Sequence, residues 1–163
     1  MNQYLYKATG IALAVAYLTM IITTNALLRL ALGTETDLAT RQTIALGLGL
    51  LVVAAPLWWL HWRWLRWQLT AASPARQHDF RTYVLTVAVI ALFVIFGSAG
   101  LGVAVLARLA LGILVDSALG WVQSLTAVAA MLVATGIWYL HWGYVVRNQQ
   151  GWEAIRQAKV SSV

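Results

Sequence analysis

The sequence predicts an all-α, polytopic membrane protein with four transmembrane helices, and three observations carry that prediction. Of 163 residues, 61% are hydrophobic and 10% are charged, against roughly 25% charged in an ordinary soluble domain. Mean hydropathy is +0.76. The apolar residues are gathered into four uncharged runs, each long enough to meet the roughly 20 residues needed to cross about 30 Å of hydrocarbon. A soluble fold of this size leaves too much surface in water to hide such a composition. A disordered chain would need low hydrophobicity and a high net charge.

The first run, 8–28, follows Lys7. It is longer than the core of a signal peptide and has a counterpart later in the chain, so it reads as a span and not as a leader. Thr23 and Thr24 are expected to bond back to their own helix, and Asn25 to reach a neighbouring helix or the outer surface. The second run, 42–62, contains His61 as its one titratable group and Pro56, which is expected to kink it. The segment 63–81 is basic. Its Ser73-Pro74 pair signals a turn, which makes His78 an exposed loop residue. The third run, 82–107, has a smooth stretch at Gly97, Ser98, Ala99, Gly100 and Gly102. Ser98/Gly102 and Ala45/Gly49 are small pairs four apart, a spacing that lets membrane helices approach closely. The fourth run, 117–146, contains His141. In the tail, 148–163, the spacing of Trp152, Ile155 and Lys159 suggests a short helix lying on the membrane. The whole chain, 1–163, is read as one membrane domain.

Charge sets the orientation. Eight basic residues fall on one side of the spans: Lys7, Arg63, Arg66, Arg76, Arg81, Arg147, Arg156 and Lys159. Arg29, Arg41 and Arg108 fall on the other. The positive-inside rule then places both termini and the 63–81 loop in the cytoplasm, and the protein in the inner cell membrane. The net charge of +6 is accounted for by this topology, so nucleic acid is not expected as a partner. The absence of cysteine excludes disulfides, thiolate metal sites and cysteine nucleophiles.

The two halves resemble each other, at 4–67 and 83–147. At an offset of 79, Arg29-Leu30-Ala31-Leu32-Gly33 matches Arg108-Leu109-Ala110-Leu111-Gly112, and Asp37 matches Asp116. After one inserted residue, Trp58 and Leu60-His61-Trp62 match Trp138 and Leu140-His141-Trp142. Apolar identities are cheap in membrane helices, but matched Arg, Asp, Trp and His are not. They predict a tandem repeat of two-helix hairpins related by an axis along the membrane normal, with matched residues at equal depth.

The Pro56-Leu57-Trp58-Trp59-Leu60-His61-Trp62 stretch and its echo at 138–142 resemble a family of bacterial four-helix membrane proteins grouped as a domain of unknown function. The resemblance spans roughly residues 5–150. It implies the four-helix fold and no activity.

Trp58, His61 and Trp62 share one helical face, as do Trp138, His141 and Trp142. Two imidazoles at equal depth on two helices are the arrangement that holds a haem iron from both sides. One alone could ligate the magnesium of a chlorophyll-type pigment. The plainer account is an aromatic belt, since Trp collects at the membrane interface, with histidines solvated beside it. Repetition of Arg29, Gly33 and Asp37 as Arg108, Gly112 and Asp116 suggests a shared structural task. Each Gly would end its helix in a left-handed cap. Each Arg would bond helix-end carbonyls or pair with an Asp, within a half or across halves. An anion held between the two guanidinium groups is the functional alternative.

No phosphate loop, zinc-helix motif or hydrolase triad is present. None of the five carboxylates lies inside a span, which argues against a proton-coupled transporter. The expectation is a protein without a catalytic site, embedded in the bilayer as an accessory or structural subunit of a membrane complex. The alternatives are a b-type haem or pigment protein ligated by His61 and His141, and a small anion channel or transporter.

Overall fold

A computed structural model describes residues 2–69, 74–113 and 117–160, with side chains at 4–67, 79–113 and 117–147. Four helices account for nearly all of it: α1 (Asn2–Ala31), α2 (Leu38–Leu69), α3 (Pro74–Ala110) and α4 (Ser117–Val160). All four are long and apolar enough to span a membrane. Lipid offers backbone N–H and C=O groups no partner, so a helix that satisfies them internally is the favoured form.

The helices outrun the hydrophobic runs that announce them. At 1.5 Å per residue, α3 is about 56 Å long and α4 about 66 Å, from 37 and 44 residues. Of the Ser73-Pro74 pair, Ser73 lies outside the described residues and Pro74 opens α3, so the backbone of His78 is helical and not a loop. Proline is well placed at a first helical position, where its missing N–H has no intrahelical partner to lose. The separate helix expected at Trp152–Lys159 is the unbroken continuation of α4; its side chains lie outside the described residues. Pro56 is accommodated inside α2.

α2 packs on α1 and α4 packs on α3. The two hairpins meet where α1 lies against α4, with a smaller contact between α1 and α3. α1 buries Leu5, Thr9, Ala12, Ala16, Thr19, Thr23 and Ala26, a 4-3 alternation that holds one face toward its neighbours. The residues 79 positions later form the corresponding face of α3. Val84, Ala88, Ala91 and Val105 are buried, and Ile95, Ser98 and Gly102 are half-buried.

Small residues set the spacing. A Cβ placed on Gly47 of α2 would overlap Thr23 Oγ1 of α1 and stand 3.1 Å from Thr23 Cβ. At the corresponding point of the second hairpin, Gly102 of α3 lies against Ala127 of α4. The close contact is thus made by Gly47 and not by the Ala45/Gly49 pair, both of which face outward. Period 3.6 decides this: Gly47 lies roughly 200° around the helix from either residue. Ser98/Gly102 does pack inward, as the spacing suggested.

Both hairpins close their first helix identically. Gly33 has φ 68° and Gly112 has φ 66°, the left-handed conformation that glycine adopts without penalty. Thr34 N–H donates to Arg29 O at 3.0 Å, and Ile113 N–H to Arg108 O at 3.0 Å. Gly33 and Gly112 donate to Leu30 O and Leu109 O. This is the Schellman pattern expected from the two glycines.

Candidate functional site

All four helices converge at one end of the bundle. Leu5 of α1, Trp62 and Leu65 of α2, Phe80 and Val84 of α3, and Val145 of α4 form a buried cluster. Aromatic rings fill it. The Trp62 indole lies 5.8 Å from Phe80, 6.1 Å from Tyr144 and 4.6 Å from the His141 imidazole, between ring centroids. Tyr83 meets His141 edge-on at 6.2 Å and stacks on Tyr6 at 5.8 Å. Such pairs prefer offset and edge contacts, because ring faces are negative and edges positive.

His141 is the polar centre of this cluster and is fully buried. Its Nδ1 lies 2.8 Å from Ile137 O, one turn earlier. A carbonyl can only accept, so Nδ1 carries the proton and Nε2 presents a lone pair in the neutral ring. That Nε2 is buried without a hydrogen-bond partner. Tyr83 OH, Trp58 Nε1 and Trp138 Nε1 are likewise buried and unpartnered. Unsatisfied buried polar groups are uncommon, and several at one level of a bundle mark this end as the candidate site.

His61 is placed differently. Its Nδ1 lies 2.7 Å from Leu57 O, the same local bond, but its ring is partly exposed. Trp62, its neighbour in sequence, takes the place against His141. In α4 the arrangement is reversed: His141 is buried, and Trp142 is 42% exposed and stacks on Trp138 at 6.2 Å. The buried stripe of α2 runs through Ala54, Trp58, Trp62 and Leu65, and that of α4 through Ala134, Trp138, His141 and Val145. At an offset of 80 the two stripes share their first two and last positions. They differ at the third, where one helix uses the tryptophan and the other the histidine. The two imidazoles therefore differ in surroundings, His141 fully buried and His61 half-buried. Trp59, Trp64 and Trp67 face outward, as an aromatic belt requires.

The opposite end holds a second polar group. Asn25 Nδ2 donates to Thr126 Oγ1 at 3.1 Å, tying α1 to α4. Arg29 Nε donates to Asn25 Oδ1 at 2.8 Å, and Arg29 Nη1 pairs with Glu35. Asp37 is not the partner of Arg29. It caps α2, accepting from Thr40 N–H at 2.9 Å. The Thr40 backbone and hydroxyl bonds hold its carboxyl below the usual carboxylate range. The pairing follows from loop geometry: the left-handed turn at Gly33 brings Glu35 back over Arg29, while Asp37 sits where α2 needs an acceptor. Arg108 is exposed, and Asp116 lies outside the described residues. At an offset of 79, Asn25 and Glu35 are replaced by Ala104 and Leu114, so the second half lacks the groups that engage Arg29. The structure thus draws Arg29 to a carboxylate and leaves Arg108 exposed.

Among the described residues no group of three or more His, Cys, Asp or Glu is placed to hold a metal ion. The family described as a domain of unknown function (DUF5671) matches residues 2–122. That match covers about three quarters of the chain, namely α1 to α3 and the first turns of α4. It stops short of Trp138–Trp142, so the echo that carries half of the sequence resemblance lies beyond it. No curated protein and no solved structure matches the chain.

Proposed function

The chain belongs to this family, and from that premise and its geometry we propose that it is an accessory or structural subunit of a complex in the inner cell membrane. It is built as a duplicated two-helix hairpin, with both termini in the cytoplasm. One observation carries the reading. α4 runs 44 residues, about 66 Å, roughly twice the hydrocarbon thickness. It projects from the end of the bundle that carries Lys7, Arg63, Arg66, Arg81 and Arg147, the end that faces the cytoplasm under the positive-inside rule. Such an extension gives a partner a rigid surface outside the bilayer, while the bundle below supplies the anchor.

The test compares the full chain with a chain ended after Arg147, each purified from its native membrane in mild detergent. A stoichiometric complex held by the full chain and lost by the shortened one supports the reading. A full chain that runs as a free species at its own mass overturns it.

A second reading rests on the free Nε2 of His141. An imidazole whose Nδ1–H is tied to a carbonyl and whose Nε2 is open is the form that ligates metals. Haem b or a chlorophyll-type pigment could be held there by His141 from one side. Holding it between His61 and His141 would require Trp62 to leave the imidazole. When bound, haem would supply one-electron chemistry. Absorption spectra of oxidised and dithionite-reduced protein test this. A reduced band lost in His141→Ala and kept in His61→Ala supports ligation by His141. A colourless protein from haem-replete cells removes it.

A further inference from the structure

An open groove of about 1020 Å³ runs between α1, α3 and α4. Its walls are Gly10, Leu13, Ala14, Tyr17 and Leu18 of α1, faced by Val87, Ile90, Ala91 and Val94 of α3, with Ala134 and Ile137 of α4 behind them. The cause is a mismatch in packing. α1 leans on α2 and α4, and α3 leans on α4, so α1 and α3 meet only at a few points. One is Gly10, where a Cβ would stand 3.8 Å from Tyr83. The groove follows α1 from Tyr6 to Leu18, about 18 Å at 1.5 Å per residue. This is the scale of one leaflet, since the whole hydrocarbon core is about 30 Å thick.

One end is polar. Lys7 and Asp79 both line the mouth, with Thr82 beside them, and both are exposed. Among the described residues no ion pair joins them. The mouth therefore presents one cation and one hydrogen-bond-accepting anion at the interface, above an apolar slot open to the bilayer.

We propose that this groove is a site for one aminophospholipid, with an acyl chain along α1, its phosphate at Lys7 and its primary ammonium at Asp79. The charge pattern selects the headgroup. Phosphatidylethanolamine supplies an anion and an N–H cation to the two side chains. A quaternary choline has no N–H for Asp79 to accept, and phosphatidylglycerol leaves Asp79 facing only negative charge. Charge-assisted hydrogen bonds are the strong ones, and near the interface they are less screened than in bulk water. The groove adjoins the His141 cluster: Tyr6 and Tyr83 border both, and Ile137, whose carbonyl accepts from His141, is part of its wall.

The test is native mass spectrometry of the full chain, stripped of lipid in detergent and titrated with phosphatidylethanolamine, phosphatidylglycerol or phosphatidylcholine of identical chains. One phosphatidylethanolamine is expected to stay bound at concentrations where the others are lost, with at least tenfold preference. Lys7→Gln and Asp79→Asn, both at exposed positions, are each expected to lower retention about tenfold with unchanged helical content. Asp79→Asn is also expected to narrow the gap between phosphatidylethanolamine and phosphatidylglycerol. Leu18→Trp, at the deep end, is expected to weaken retention of a long chain while leaving a short-chain lipid unaffected. Equal retention of the three lipids, preference for the anionic one, or indifference to the Lys7 and Asp79 substitutions would overturn the proposal.

Discussion

Gly47 offers the sharpest test of how the bundle is packed. A methyl group there overlaps Thr23 Oγ1 and sits 3.1 Å from Thr23 Cβ. Thr23 is buried, and its hydroxyl donates to Thr19 O at 2.7 Å. Rotating the side chain away breaks that bond and leaves the Cβ contact tight, so α1 and α2 must also separate. Leaving a buried hydroxyl unsatisfied costs about 1–3 kcal/mol, and overpacking adds a similar amount. Alanine recovers about 0.5–1 kcal/mol of helix propensity over glycine. A net loss of about 3 kcal/mol for Gly47→Ala follows, a shift in the unfolding equilibrium on the order of a hundredfold. Gly49, two residues on, has open space at its Cβ, so Gly49→Ala should be neutral or slightly stabilising. Reversible unfolding in mixed micelles measures both. Thr23→Ala removes the overlapping oxygen, so a double-mutant cycle should show Gly47→Ala costing less in that background. Equal effects at Gly47 and Gly49, or an additive cycle, would refute the packing described here.

Other expectations follow from the two polar ends and the aromatic cluster. Trp62→Ala should cost about 3 kcal/mol or more, from the cavity it opens, whereas Trp67→Ala, at an exposed residue, should leave the unfolding midpoint nearly unchanged. Glu35→Gln should alter stability by less than about 1 kcal/mol, because the Arg29–Glu35 pair is solvent-facing. Asn25→Ala removes the bond to Thr126 between helices and should cost about 0.6 kcal/mol, the average for such bonds in membranes. Asp37 carries a pH prediction. Its carboxyl is held below its ordinary value, chiefly by the Thr40 backbone bond. The cap is therefore intact above the unfolded carboxylate value and is lost as pH falls through the lowered folded one. The Thr40 amide shift in NMR should report that transition, and Asp37→Asn should abolish it.

Much of the fold was legible from elementary rules. Four uncharged runs become four helices because bilayer thickness and backbone satisfaction leave few alternatives. Gly33 and Gly112 end helices as left-handed caps because their positions after an apolar run call for that conformation. Helix ends were less legible. Polar residues at 74–81 and beyond 147 read as loop and tail, yet hydropathy reports where a helix meets lipid and not where it stops. Arg29 pairs with Glu35 and not with Asp37, because side-chain pairing depends on how the six residues between Ala31 and Leu38 fold back. For Asn25 the sequence leaves open a neighbouring helix or the outer surface, and the structure gives it the bond to Thr126 of α4.

The candidate site shows the limit most clearly. In the sequence His61 and His141 are equivalent, each set between tryptophans at the same spacing. Only one can be central, because the second and fourth helices meet different surroundings. α4 lies between α1 and α3 and is covered on two sides, while α2 rests on α1 alone for most of its length. A helical stripe that begins at positions 54 or 134 and ends at 65 or 145 can pass through the intermediate turn by spacings of 4-4-3 or 4-3-4. Both lie within a few tens of degrees of the 3.6-residue period. α2 takes the first and buries Trp62, a large ring that reaches across from the first hairpin to touch α3 and α4. α4 takes the second and buries His141, a smaller ring that leaves room for that indole. The two choices depend on each other. Two tryptophans would overfill the junction, and two histidines would leave it hollow and add a second buried imidazole to satisfy. Two matching Trp-x-x-His-Trp segments thus take different side chains into the bundle. Among the described residues that difference leaves one buried imidazole, His141, with an open nitrogen where all four helices meet.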